Sequence, residues 1–417
     1  MNSDLSRIID RWAGVPLCAL LTLLHRLVPP SRVEPDRVRR LAFLKPAEQG
    51  ATVLAASAMR VAIARLGAEN VFFLCFQKNA EILRVMNLVP ETNLVLVDDS
   101  NPVTLTRDTL RAIAFLREHH IDAVVDLEFF SRYTALICGL SGAGIRVGLH
   151  RFQSEGCYRG SLFNRPVLFN PYLSTADLYR ALTESVWDNG STPCLKKKQE
   201  KEEDDALRPL FSPTIEDENG LAALIDVAGM RDILASPFTV LFNPKFGDEL
   251  PMRAWPAARY EQLAGQLFEE IPDARIFLVG LPGEQEQAAS FSRRFAPGQV
   301  GDLTGRLTLR QLITLCGKVD AMVSSDSGPA HFASLTDVPI LVLFGPESPR
   351  LFAPRSPNVT VFYAGLACSP CFSAWNHRTS SCRDNQCMKA IAPETVLEKL
   401  LEIYRRKQQK TTVHPVS

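Results

Sequence analysis

Short, almost wholly apolar runs recur along this chain, each followed by a stretch with helical periodicity, and this alternation constrains the fold most. In the first half the runs are residues 40–44 (RLAFL), 70–76 (NVFFLCF), 93–97 (NLVLV), 123–127 (AVVDL) and 145–148 (IRVG). In the second half they are 238–242 (FTVLF), 274–280 (ARIFLVG), 320–324 (DAMVS) and 339–344 (PILVLF). Runs of this length without polar alternation suit strands buried on both faces. Helices between them, expected over 51–66, 81–88, 107–119, 130–140, 217–229, 255–270, 330–336 and 393–406, require parallel strands with helices on both sides of the sheet. Ligands of such sheets bind beyond the carboxyl ends of the strands. In the first half the loops 45–50 and 128–132 occupy those ends.

A length of 417 residues makes two domains the natural expectation, and 46% apolar content is enough for two cores. Residues 196–205 (KKKQEKEEDD) contain no apolar member and read as a solvated linker or helix end. The boundary falls there, giving a first domain over 36–205 and a second over 206–392, flanked by segments 1–35 and 393–417. With 46 basic and 46 acidic side chains the formal charge is zero, which argues against a nucleic-acid partner.

Residues 12–24 (WAGVPLCALLTLL) form an apolar run, with Arg7 and Arg11 before it and His25, Arg26 and Arg32 after it. A bilayer span needs about 20 residues, more than this run supplies. Two readings stand: an amphipathic helix on the inner membrane face with its arginines toward anionic headgroups, or a helix packed on the body of the protein. No small-x-small cleavage site before Pro29 and Pro30 favours a secretory signal. Cys18, Cys75, Cys138, Cys157, Cys194 and Cys316 sit mostly in apolar segments, as reduced cytoplasmic thiols do. The expected location is therefore cytoplasmic and peripheral on the inner membrane.

The turn 325–329 (SDSGP) lies between the strand at 320–324 and the helix at 330–336. Gly328 lets a ligand approach the backbone closely, Pro329 suits the first helical position, and Asp326 or Ser327 can cap the helix. Free N–H groups at that helix start offer partial positive charge to a diphosphate, and His331 in the first turn can add a donor. The plainer alternative is an ordinary turn with a good cap.

Residues 305–349 resemble glycosyltransferase family 9, the bacterial heptosyltransferases. Its D-[ST]-G-x-x-H-x-A segment matches Asp326, Ser327, Gly328, His331 and Ala333, framed by Leu309, Leu312, Phe344, Gly345 and Pro346. The resemblance, over roughly residues 38–403, implies a GT-B architecture, two Rossmann-like domains facing a central cleft. It implies that residues 326–331 hold the donor's ribose, diphosphate and sugar. The family's N-P…K-x-W-P motif appears as Asn243-Pro244 and Arg253-Ala254-Trp255-Pro256, with Arg253 in place of the diphosphate-binding lysine. Arginine keeps the charge and can bind phosphate bidentately; Lys245 is a second candidate. Gly280 and Glu284 match a G-x-x-x-E segment that can contact the nucleoside. Arg146 and Arg151 match a family segment lining the acceptor side.

One departure stands out. The family carries S-x-G-D in its first loop, and the aspartate is its proposed base. Here Ala47-Glu48-Gln49-Gly50-Ala51 stands instead, with Ala51 at the aspartate's position. An inverting transfer needs a carboxylate near the attacking hydroxyl. Glu48 and Glu128 are the candidates. Without one, the chain is a non-catalytic sugar-nucleotide-binding or scaffold protein of polysaccharide assembly. A sugar-nucleotide 2-epimerase is an enzyme rival with the same two-domain build.

The expected activity is transfer of a heptose or related sugar from a nucleoside diphosphate sugar to a lipopolysaccharide-core, cell-surface or lipid-linked glycan. No cofactor is expected, because an arginine and a helix end can neutralise the departing diphosphate and no D-x-D motif is seen. Cys368, Cys371, Cys382 and Cys387 form a cluster that is either a structural zinc site, with His377 a possible ligand, or plain buried or paired thiols.

Overall fold

The structure, a computed structural model, describes residues 9–30, 33–150, 157–188, 210–245, 251–376 and 378–413. The expected linker at 196–205, together with Arg7, Arg32, Arg151, Cys194 and His377, lies outside the described residues. The chain divides into two compact units: Met1–Leu207 with Ala374–His377, and Arg208–Ser373 with Arg378–Ser417.

The first unit holds a six-stranded parallel sheet of β1 (Leu41–Leu44), β2 (Val71–Phe76), β3 (Leu94–Val97), β4 (Ala123–Asp126), β5 (Ile145–His150) and β6 (Arg165–Leu168). Its order is β3-β2-β1-β4-β5-β6. β1 and β4 are buried at every position, as strands covered by helices on both faces must be. The helices are α1 (Gly14–Leu27), α2 (Gln49–Leu54), α3 (Ala56–Leu66), α4 (Ala80–Met86), α5 (Pro102–Glu118), α6 (Arg132–Leu140) and α7 (Thr175–Glu184). α5 begins five residues before the expected start, because Asn101 accepts the N–H groups of Val103 and Thr104 and Pro102 fills the first turn.

The second unit repeats the plan with β7 (Phe238–Asn243), β8 (Ala274–Leu278), β9 (Val300–Asp302), β10 (Ala321–Ser325), β11 (Ile340–Phe344) and β12 (Val359–Tyr363). The order is β12-β11-β10-β7-β8-β9, again all parallel. Its main helices are α8 (Ile215–Val227), α9 (Ala257–Glu270), α10 (Gln285–Ser292), α11 (Leu309–Cys316), α12 (Gly328–Ala333) and α13 (Pro393–Val413). Phe238, Val240 and Phe242 of β7 pack with Tyr260, Leu263 and Leu267 of α9 and with Leu400 of α13. Trp255 is buried among them and donates its indole N–H to the Ile391 carbonyl at 3.1 Å.

β6 and β9 lack the apolar runs expected of strands, and β12 carries a run, VTVFY, that is not among those expected. Each lies at a sheet edge, where one neighbour suffices and polar residues, or Pro166 in β6, are tolerated.

Helix α1 packs on the first unit with one face. Cys18 and Leu21 join Ala135 of α6 and Leu162 in a small core. The approach is close: a Cβ on Gly139 would stand 2.8 Å from Leu21, and one on Gly14 2.7 Å from Arg132. Asp10 fixes the junction by accepting the backbone N–H groups of Arg132 and Tyr133, each at 3.0 Å. The opposite face, with Leu17, Leu20, Leu23, Leu24 and Leu27, is exposed, as is Trp12 just before the helix. No described helix is long and apolar enough to cross a membrane.

Candidate functional site

In each sheet the chain winds outward from a central strand and then returns to that strand's other side. The reversal falls between β1 and β4 in the first unit and between β7 and β10 in the second. Such a switch point opens a crevice at the carboxyl edge, because the two loops leaving it diverge.

At the first switch point, β1 ends at Leu44 and Lys45 follows, its side chain wholly buried. Its ammonium lies 2.9 Å from Glu128 Oε1 and 3.4 Å from Glu48 Oε2. Burial opposes the charge most strongly, but Glu128, Tyr179 and Glu48 together outweigh it and hold the ammonium above the usual lysine range. The two carboxylates are therefore brought to one cation, but not equivalently. Glu128 Oε1 also accepts the Ala47 N–H at 3.1 Å, and only 15% of its side chain is exposed, against 40% for Glu48. Glu48 adopts a left-handed backbone (φ 69°) at the start of α2, costly for a residue with a Cβ. Ala51, where the family's aspartate would stand, is buried in α2.

Beneath Glu128, Asp126 ends β4 and accepts the Glu128 N–H at 3.1 Å. Its other oxygen pairs with Arg159 at 2.7 Å, both side chains buried. Burial pushes the Asp126 carboxyl up to about 6, against the pull of Arg159. Arg159 rests on the Phe163 ring at 4.4 Å and donates to the Leu149 carbonyl. The pair is thus a buried brace under the Glu128 loop.

Arg146 is placed differently from the expectation. It lies near the start of β5, at the amino edge, buried, donating to the carbonyls of Ala143 (2.6 Å) and Leu162 (2.8 Å). This geometry ties down a loop and does not face the carboxyl edge.

At the second switch point, β7 ends at Asn243 and β10 at Ser325, followed by Asp326, Ser327 and α12. Asn243 is buried beside Ser324 in the ladder, and Lys245 follows in a left-handed conformation (φ 55°). Ser327 occupies the N-cap position, yet its side chain does not cap the helix; the Ser327 hydroxyl instead meets Ser324 at 3.1 Å. The first-turn N–H groups of α12 are thereby left to other acceptors. The helix has six residues, so its dipole is short. Gly328 opens it, where an added Cβ would press on the Phe332 ring at 3.2 Å, and His331 is buried in it.

Arg253 supplies the cation. Its Nε lies 3.4 Å from Asp326 Oδ2, and its terminal nitrogen donates to Glu347 at 2.7 Å. Trp255 holds the segment in register, donating its backbone N–H to Ser325 Oγ at 3.1 Å. Asn243, Arg253, Asp326, Ser327 and Gly328 thus gather at one switch point. Glu284 turns inward: it is buried and accepts the Leu281 N–H at 3.1 Å, with Gly280 allowing the close fit. Sequence reasoning missed Lys45, Arg159 and Glu347. The signal for Lys45 was a charge placed directly after an apolar strand; for Glu347 it was the acid inside the G-P-E-S turn after β11.

Among the described residues no disulfide joins Cys368, Cys371, Cys382 and Cys387. Among the described residues no three or more His, Cys, Asp or Glu side chains are arranged to hold a metal ion, and His377 lies outside them. Cys387 is buried, and a Cβ on Gly345 would stand 2.9 Å from its sulfur.

Two doubly wound sheets, each with polar residues gathered at its switch point, define an α/β protein of the GT-B glycosyltransferase architecture. The fold matches the solved E. coli ADP-heptose lps heptosyltransferase II with a TM-score of 0.64 at 20% identity, covering 88% of this chain and 99% of that one. E. coli heptosyltransferase WaaC with ADP gives 0.60 at 17% identity, covering 87% and 99%. A model of glycosyltransferase family 9 (heptosyltransferase) matches residues 110–380, well over half the chain, and the chain belongs to that family. Lipopolysaccharide heptosyltransferase 2 of Salmonella typhimurium is 31% identical over 114 residues, 27% of this chain and 32% of that protein. Lipooligosaccharide heptosyltransferase 2 of Campylobacter jejuni is 27% identical over 149 residues, 35% and 45%. In sequence the chain spans less than half the length of these curated relatives.

Proposed function

We propose that this protein is an inverting glycosyltransferase. It moves a heptose or related sugar from a nucleoside diphosphate sugar to a lipopolysaccharide-core or other cell-surface glycan. The observation that carries this reading is Arg253 beside Asp326 and the uncapped start of α12, at a switch point. A cation and a helix start that Ser327 does not cap together suit a diphosphate, both bound and leaving. Family membership and the relatives named lipopolysaccharide heptosyltransferase support the choice of sugar and acceptor.

Glu48 is the base in this reading. It has the greater exposure and the longer contact to Lys45, so it can take a proton from an acceptor hydroxyl. Glu128, bound to both Lys45 and the Ala47 N–H, holds the lysine in place. The chemical step forms a bond from the acceptor oxygen to the anomeric carbon as the bond to the diphosphate oxygen breaks; the hydroxyl proton passes to Glu48. Lys245, Asn243 and His331 serve as further donor contacts.

The acceptor is membrane-bound in this reading, and α1 is the element that meets that membrane. Its outer face carries Leu27, 71% exposed, Trp12 just before the helix is 75% exposed, and Arg11 and Arg26 are exposed beside them. No acidic residue interrupts the segment from Arg11 to Pro30. An apolar stripe flanked by arginines fits an anionic bilayer surface.

The test is nucleoside diphosphate release by the full-length protein from ADP-heptose, with and without a lipopolysaccharide-core acceptor. Acceptor-dependent release is expected, lowered about 10²- to 10⁴-fold by Glu48→Gln. Binding of ADP-heptose without release under any acceptor would replace this reading with the binding-protein alternative.

A further inference from the structure

Glu347 follows β11 and is fully buried, yet two guanidinium groups converge on one of its oxygens. Arg253 donates to Oε1 at 2.7 Å, and Arg378 Nε lies 3.2 Å from the same atom. The other oxygen, Oε2, makes no hydrogen bond among the described residues. Burial pushes the Glu347 carboxyl up, Arg378 and then Arg253 pull against it, and the Asp326 carboxylate adds to the upward push, so the carboxylate depends on both cations. Arg378 is held on its far side by the Phe352 ring, 4.7 Å away, and its backbone is left-handed (φ 56°).

The exposures order the groups. Glu347 has 1% of its side chain exposed, Arg253 12% and Arg378 17%. Both guanidiniums are more exposed than the carboxylate they share, and Arg253 also faces Asp326 at 3.4 Å. Two guanidiniums anchored on one carboxylate oxygen lie side by side, and their repulsion is offset by an acid that no ligand can displace from the front.

We propose that Arg378 is a second phosphate-binding cation beside Arg253, and that Glu347 is the positioning residue that holds the pair. The ligand is the pyrophosphate of the donor, one guanidinium to each phosphate. This rests on the sugar-nucleotide reading above and adds a preference for diphosphates over monophosphates.

The experiment is calorimetric titration of the full-length protein with ADP, AMP and inorganic pyrophosphate. In Arg378→Gln, ADP and pyrophosphate binding are expected to weaken at least about tenfold, as loss of a charged hydrogen bond does, with AMP within about twofold. Arg378→Lys, keeping the charge, recovers part of the loss. Glu347→Gln keeps the shape and lowers the ADP-over-AMP preference without abolishing AMP binding, whereas a merely structural role would weaken both alike. Unchanged ADP and pyrophosphate affinity in Arg378→Gln overturns the proposal. Wild-type protein that binds pyrophosphate, sensitive to Arg378→Gln, but not ADP or ADP-heptose supports the pair while overturning the sugar-nucleotide reading. Failure of wild-type protein to bind either overturns both.

Discussion

At the scale of single residues, buried charge is what distinguishes this protein. Lys45, Asp126, Arg159 and Glu347 are all buried, and each is tolerable only because a partner lies within hydrogen-bonding reach. Asp126 makes this testable through pH. Its folded carboxyl is raised from 3.8 to about 6, first by burial, so the folded state prefers the protonated form. The sign follows: its contribution is present below about pH 4 and is lost as pH rises toward about 6. Urea midpoints of the first unit should therefore fall across that window, and Asp126→Asn should flatten the fall; an unchanged slope would show that Asp126 does not titrate there. Glu128→Gln should destabilise the unit by about 3–5 kcal/mol, by leaving Lys45 buried beside the weaker partner, measured by denaturant unfolding. In the sequence Glu48 and Glu128 were legible as acids in carboxyl-edge loops. Their difference was not, because exposure and the Ala47 contact depend on how two distant loops meet.

At the scale of elements, α1 shows one helix serving two environments. Its inner face needs small residues on the partner side. Gly160 has φ 62°, and a Cβ there would stand 2.0 Å from Thr22 Oγ1 and 2.8 Å from the Cys18 carbonyl. Gly160→Ala should cost about 2–4 kcal/mol, backbone strain plus overpacking, read from the denaturation midpoint. Gly142→Ala, equally left-handed (φ 83°) but meeting only Arg117 at 3.4 Å, should cost about 1–2 kcal/mol. Equal losses would mean that α1 is not seated as described. The outer face predicts a different outcome. Leu20→Glu with Leu27→Glu should abolish sedimentation with phosphatidylglycerol vesicles and leave stability within about 0.5 kcal/mol, because both side chains are exposed. Unaltered sedimentation would remove α1 from the membrane reading. The apolar run and its arginines were legible in the sequence, but the choice between bilayer and protein core was posed as exclusive. The structure divides the helix between a packed face and an exposed one.

At the scale of the whole molecule, the chain carries two sheets with separate cores, and the donor residues proposed here all belong to the second unit. ADP at 100 times its Kd should stabilise that unit by about 2.7 kcal/mol. Hydrogen exchange should then slow in β7, β10 and β11, with β1 and β4 unchanged. Slowing confined to the first unit would move the nucleotide there. The two-unit α/β plan was determined by the sequence alone, since a strand buried on both faces must be apolar throughout and a parallel neighbour must be reached through a helix. The turn after β10 was equally legible, because glycine and proline fix local backbone whatever surrounds them. Tertiary structure alone decided which strands became neighbours, and so where the switch points fall. It decided that Lys45 would be buried between two acids, that Arg146 would serve the amino edge, and that Glu347 would gather Arg253 and Arg378. These are consequences of long-range pairing, which brings residues far apart in the chain into direct contact and leaves no local pattern by which to foresee it.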